Sequence, residues 1–111
     1  MSHKHLDHIG IAVNDLEKAK DIWQKLLGTP CYKEETVESE KVVTAFFRTG
    51  ESKIELLGAL EEGSVIEKYI EKRGEGLHHI AFEVEDITEE LKSLKEDGFT
   101  LLNEQPKKGA D

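Results

Sequence analysis

Apolar residues recur along this chain with two periods, and their changes mark out a series of short elements. From Leu6 to Val13 the residues alternate, with β-branched Ile9, Ile11 and Val13 on one side, which predicts a strand. Asn14 and Asp15 then offer side-chain oxygens that cap a helix. Behind them Leu16, Ala19, Ile22, Trp23, Leu26 and Leu27 recur at helical spacing, and Gly28 closes the helix. Cys31–Val37, Val42–Arg48 and Lys53–Leu57 predict further strands. Polar residues 38–41 separate the first two, and Thr49-Gly50-Glu51-Ser52 reads as a hairpin turn between the others. A short helix over Val65–Lys72 carries Val65, Ile66, Tyr69 and Ile70, and Arg73-Gly74-Glu75-Gly76 breaks it. A strand follows over Leu77–Val84, then a helix capped by Asp86 that runs through Leu91 and Leu94 to Gly98. Phe99–Leu102 opens another strand.

The later strand and helix repeat the first pair. The segment beginning at His79 (HIAFEVED) lies on the segment beginning at His8 (HIGIAVND) at a constant offset of 71. Histidine, isoleucine, valine and aspartate are identical, and a one-residue gap in the helix then puts Gly98 on Gly28. Coincidence between two strand-plus-helix units is the simpler explanation, but both histidines fall at the same step of the same strand. The fold expected is therefore α+β: paired βαβββ modules forming a cupped mixed sheet in a single domain over residues 1–111. The first module covers 6–60, and 77–111 begin the second. At the spacing of the first copy, a complete second copy would reach about residue 127.

Composition narrows the function. At 111 residues the chain suffices for one core, and 37% hydrophobic residues exclude a disordered polymer. A net charge of −9 argues against nucleic acid, whose phosphates need a basic surface. An anionic substrate would need help from lysines, arginines or a metal. The single cysteine, Cys31, excludes an internal disulfide and any Cys-rich zinc site. No apolar run reaches the roughly 18–20 residues that cross a bilayer, so no membrane association is expected. The start, Met-Ser-His-Lys-His, has no apolar signal region. A cytoplasmic protein is expected.

Three residues carry candidate chemistry. His8 and His79 each open the first strand of a repeat, and in a pseudo-symmetric pair those strands lie side by side with both imidazoles in one concave face. Glu55 sits in the apolar strand Lys53-Ile54-Glu55-Leu56-Leu57, where a carboxylate is costly unless paired or bound to a cation. Its counterpart in a second copy would fall at about residue 125. Two histidines and two carboxylates suit Co²⁺, Mn²⁺, Ni²⁺, Fe²⁺ or Zn²⁺ with positions open for a bidentate substrate. Taken singly, each histidine could be a surface or hydrogen-bonded residue, and Glu55 could be a charge guarding a sheet edge. Alternation turns His78 away from His79's face, so His78 is read as non-ligating.

These residues carry a resemblance. Asp7-His8-Ile9-Gly10-Ile11-Ala12-Val13, Lys53-Ile54-Glu55-Leu56-Leu57, Gly76-Leu77-His78-His79-Ile80-Ala81-Phe82 and the tail Pro106-Lys107-Lys108-Gly109-Ala110 are similar to methylmalonyl-CoA epimerases of the vicinal-oxygen-chelate (glyoxalase/bleomycin-resistance) superfamily. The resemblance implies a βαβββ pair, a divalent metal (often cobalt), an acyl-CoA substrate and a homodimer, with the family's ligands carried onto His8, Glu55 and His79. Some members have a glutamate on the third strand proposed as a catalytic base, and the matching position here is Thr44. The other proposed base is a carboxylate on a final strand beyond Asp111. The catalytic bases are therefore unassigned, with Glu55 a candidate ligand near the reacting centre.

The implied reaction interconverts (R)- and (S)-methylmalonyl-CoA. A proton leaves the carbon between thioester and carboxylate on one face and returns on the other, through an enolate that a chelating metal stabilises. Lactoylglutathione lyase is the alternative enzyme, but it needs a cationic pocket, and the segment before Cys31 has no arginine. A metal-free binding module of the same fold is the non-enzymatic alternative, which three retained ligands count against. A protein ending at Asp111 is expected to bind metal weakly and to show almost no epimerisation.

Overall fold

The computed structural model describes residues 4–102. Eight elements follow in order: β1 (Lys4–Ala12), α1 (Leu16–Leu27), β2 (Lys33–Val37), β3 (Val42–Thr49), β4 (Ser52–Ala59), α2 (Val65–Arg73), β5 (Gly76–Val84) and α3 (Ile87–Glu96). The fold is α+β, with one five-stranded sheet in the order β2-β3-β4-β1-β5. β1 runs parallel to β4, and β3 pairs antiparallel with both β2 and β4. Residues through β4 thus form the βαβββ unit read from the sequence, and β1 and β5 lie side by side.

Local chemistry sets the element ends. Asp15 accepts a hydrogen bond from the Lys18 N–H (3.1 Å) at the start of α1. Gly28, at φ 70°, ends the helix with its N–H on the Gln24 carbonyl (2.9 Å). The β3–β4 hairpin closes with Thr49 opposite Ser52, and Gly50 takes the positive φ that its two-residue loop requires.

The chain divides into two compact units, one of them Leu6–Ala81. In it the sheet has two differently built faces. Val13, Ala45, Phe47, Ile54 and Leu56 form one core, against which Ile9, Ile11 and the α1 residues Leu16, Ala19, Trp23 and Leu27 pack. Ile22 and Leu26, expected in the same stripe, are exposed. They sit roughly 100° and 60° round the helix from the stripe's centre, on its flank. On the opposite face Ala12, Val42 and Leu57 pack with Ile66, Tyr69 and Ile70 of α2. Buried Ser64 caps α2 by accepting from the Ile66 N–H (3.1 Å).

The second unit holds residues 82–102 together with Lys4 and His5 among the described residues. Asp86 caps α3 through the Glu89 N–H (3.1 Å), and buried Glu90 pairs with Lys4 (2.7 Å). The strand expected over Phe99–Leu102 does not form. A strand exists only through a ladder with a neighbour, and no ladder partner is described for these residues. The tail Pro106–Ala110 lies outside the described residues. No helix among the described residues is long and apolar enough to cross a membrane.

Candidate metal centre

Strand register brings the three sequence-predicted ligands together. Gly10 stands opposite Glu55 and His8 opposite Lys53 in the parallel β1–β4 pair. His8 therefore lies one strand away and two residues back from Glu55, on the same face. β5, next to β1, supplies His79. Nε2 of His8 lies 3.1 Å from Nε2 of His79 and 3.5 Å from Oε2 of Glu55, and Nε2 of His79 lies 3.9 Å from Oε1 of Glu55. One donor atom from each residue falls within 4.8 Å of the other two. Glu55 is buried, at 5% exposure, so its charge is held against these imidazoles rather than in water.

The surroundings fix how the rings present themselves. Oδ2 of Asp7 lies 2.8 Å from Nδ1 of His8, and Lys53 Nζ lies 3.4 Å from the same oxygen. The His8 Nδ1–H donates to this carboxylate, which turns the Nε2 lone pair toward Glu55 and His79. The hydrogen bond from His8 holds the Asp7 carboxyl below its usual range; burial opposes the shift and the Lys53 charge assists it. Burial, followed by the repulsion that a protonated His8 and then a protonated His78 would exert, pushes the His79 imidazole below the usual histidine value. The His79 ring is thereby kept neutral, with a lone pair to offer.

The donor set and spacing fit a first-row divalent ion. Bonds of about 2.1 Å to one ion, at octahedral or tetrahedral angles, separate donor atoms by about 3.0–3.4 Å. The two separations from His8 match that range closely, and the third exceeds it by a shift that a carboxylate rotation supplies. No thiol joins the group, since Cys31 Sγ donates to the Lys33 carbonyl (3.2 Å).

Two neighbours differ from expectation or were not foreseen. His78, read as facing away, has its Nδ1 2.9 Å from Nδ1 of His79 and its ring edge-on to Tyr69, with centroids 4.6 Å apart. Alternation sets the direction of Cβ, but the long imidazole swings back toward its neighbour. Asp7 was visible in the sequence only as an acid adjoining a candidate ligand, and its link to Lys53 became evident from the β1–β4 register. Thr44, the residue expected at the position of a candidate base, is buried, and its hydroxyl donates to the Glu35 carbonyl (3.0 Å). A hydroxyl committed to the backbone has neither the pKa nor the free lone-pair geometry of a base near neutrality.

Comparison with known proteins identifies the relatives of this chain. The chain is 41% identical over 106 residues to the uncharacterized protein YqjC of Bacillus subtilis, covering 96% of this chain and 76% of that one. It is 40% identical over 107 residues to the ethylmalonyl-CoA/methylmalonyl-CoA epimerase of Cereibacter sphaeroides, covering 95% of this chain and 80% of that one. A solved variant of the Streptomyces coelicolor methylmalonyl-CoA epimerase, in complex with 2-nitronate-propionyl-CoA, superposes with a TM-score of 0.79 at 31% identity, over 95% of this chain and 77% of that one. The chain spans between 60% and 80% of the length of the epimerases it matches. Residues 7–111 match the Glyoxalase/Bleomycin resistance protein/Dioxygenase superfamily, and the chain belongs to that superfamily.

Proposed function

We propose that the protein is an acyl-CoA epimerase acting on methylmalonyl-CoA, with a divalent metal held by His8, Glu55 and His79. The observation that carries this reading is the convergence of two imidazole nitrogens and one buried carboxylate on a single point. The similarity to epimerases of this substrate supports the choice of reaction.

When bound, the ion supplies Lewis acidity for the paired oxygens of a thioester and a carboxylate, which lowers the cost of the negative charge left by the departing proton. The protein's own part begins with aim. Asp7 and Lys53 hold His8 in the tautomer whose Nε2 faces the site, and Glu55 sets a fixed negative charge beneath it. Burial of Glu55, together with the α2 residues packed on this face, limits the water that would compete for the substrate's oxygens. Proton removal and return require one base on each face of the reacting carbon, and Thr44 is not one of them. Cobalt is the metal we favour, with Mn²⁺, Ni²⁺ and Zn²⁺ as alternatives that the same donors accept.

The test is deuterium uptake at C2 of methylmalonyl-CoA in heavy water by the full-length protein. The reading predicts exchange and inversion that vanish on chelation and return with Co²⁺. Absence of exchange in the metal-loaded protein would overturn it. A homodimer belongs to the same proposal, supported by the similarity to this superfamily and by the general frequency of two-fold oligomers. Sedimentation of a stable, active monomer at high concentration would remove that part.

A further inference from the structure

We propose that Gly10 is the positioning residue for His79, holding open the space in which its imidazole reaches the metal; this rests on the metal-centre reading above. Gly10 faces Glu55 across the β1–β4 ladder, and β5 lies on the other side of β1. A Cβ built on Gly10 would stand 2.7 Å from Nε2 of His79 and still closer to Cε1 and Nδ1. The ring therefore lies directly over the β1 backbone, and any side chain at position 10 would occupy its place.

Backbone conformation gives no other reason for glycine there. Among the described residues six glycines take a positive φ, namely Gly28, Gly50, Gly63, Gly74, Gly76 and Gly98, and Gly10 is not one of them. The internal repeat makes the same point, since the residue 71 places on from Gly10 is Ala81. A methyl group is accepted at this step of the repeated strand, and β1 lacks it where the His79 ring crosses. Ordinary contact would require the ring to retreat by about 1 Å, whereas a working metal site tolerates ligand distances within about 0.2 Å.

The experiment compares Gly10→Ala with the wild type and, separately, in a His79→Ala background, using the full-length protein. Two readouts are taken: Co²⁺ affinity from the visible absorption of the bound ion, and thermal unfolding of the metal-free protein. Gly10→Ala is expected to weaken Co²⁺ binding at least about tenfold, in the range seen for residues that orient ligands. It is also expected to lower the metal-free Tm when His79 is present and not when the imidazole is gone, because Ala at an ordinary φ otherwise favours folding. Wild-type Co²⁺ affinity in Gly10→Ala would overturn the proposal, as would an equal loss of Tm in both backgrounds. If the wild type itself binds no Co²⁺, the metal-centre reading fails, and the two melting comparisons still decide whether Gly10 makes room for His79.

Discussion

The two faces of this sheet share strands but divide the work. Toward α1 the strands present Ile9, Ile11, Val13, Ala45, Phe47, Ile54 and Leu56, all carbon, packed against a helix stripe of the same kind. One step along each strand, the other face presents His8 and Gly10 on β1 and Glu55 on β4, with Ala12, Val42 and Leu57 lying under α2. The contrast teaches that alternation lets one strand be scaffold and site together. The site's charged groups lie on the face opposite the α1 core, so stability and metal affinity should be separable by mutation.

The largest effect expected is on the scaffold side. Phe47 is fully buried against the α1 core. Its replacement by alanine should cost about 3–5 kcal/mol in denaturant unfolding, while the molecules that remain folded keep near-normal Co²⁺ affinity. Loss of affinity in that folded fraction would show that the faces are coupled. On the site side, His8→Ala and His79→Ala should each weaken Co²⁺ binding at least about a hundredfold, or about 2.7 kcal/mol, with little change in metal-free unfolding. His78→Ala should stay within about tenfold. The opposite order, with His78 essential and His79 dispensable, would mean that the β5 register is off by one residue.

A smaller effect belongs to the support around His8. Asp7→Asn removes the charge that fixes the ring's tautomer and should weaken Co²⁺ binding by about 10–100-fold, measured by the same titration. The smallest effect is a pH dependence of the metal-free protein. His79 is held below the usual histidine value, so the unfolded chain takes up a proton more readily than the folded one. Stability from this source is complete above about 6.5, the unfolded value, and is lost as pH falls through the lower folded value. The metal-free unfolding midpoint should therefore drop as pH falls below about 6.5, with a shallower slope in His79→Gln. An identical slope in that variant would place the titration elsewhere, with His78 the next group to examine because burial lowers it too.

How much of this was legible depended on range. Helix α1 was read with its caps because Asp15, the stripe and Gly28 act within a few residues of one another. The hairpin at Gly50 was equally local. His8, Glu55 and His79 stand out in the sequence because a repeat and a carboxylate in an apolar strand are visible in one dimension. The register of β1 against β4 was not visible, and with it were hidden the Asp7–Lys53 link and the passage of the His79 ring over Gly10. The contact of the His78 ring with His79 was hidden because alternation fixes a Cβ direction and leaves the ring's reach undetermined. Phe99–Leu102 has strand-like residues without a ladder, and pairing is what turns such residues into a strand.

The claim that His8, Glu55 and His79 form the metal centre is tested most directly by X-ray absorption of the Co²⁺-loaded full-length protein. A first shell of nitrogen and oxygen is expected, with the multiple-scattering pattern of two imidazoles falling to one in His79→Ala. A sulfur neighbour, or two imidazoles that survive in His79→Ala, would contradict it.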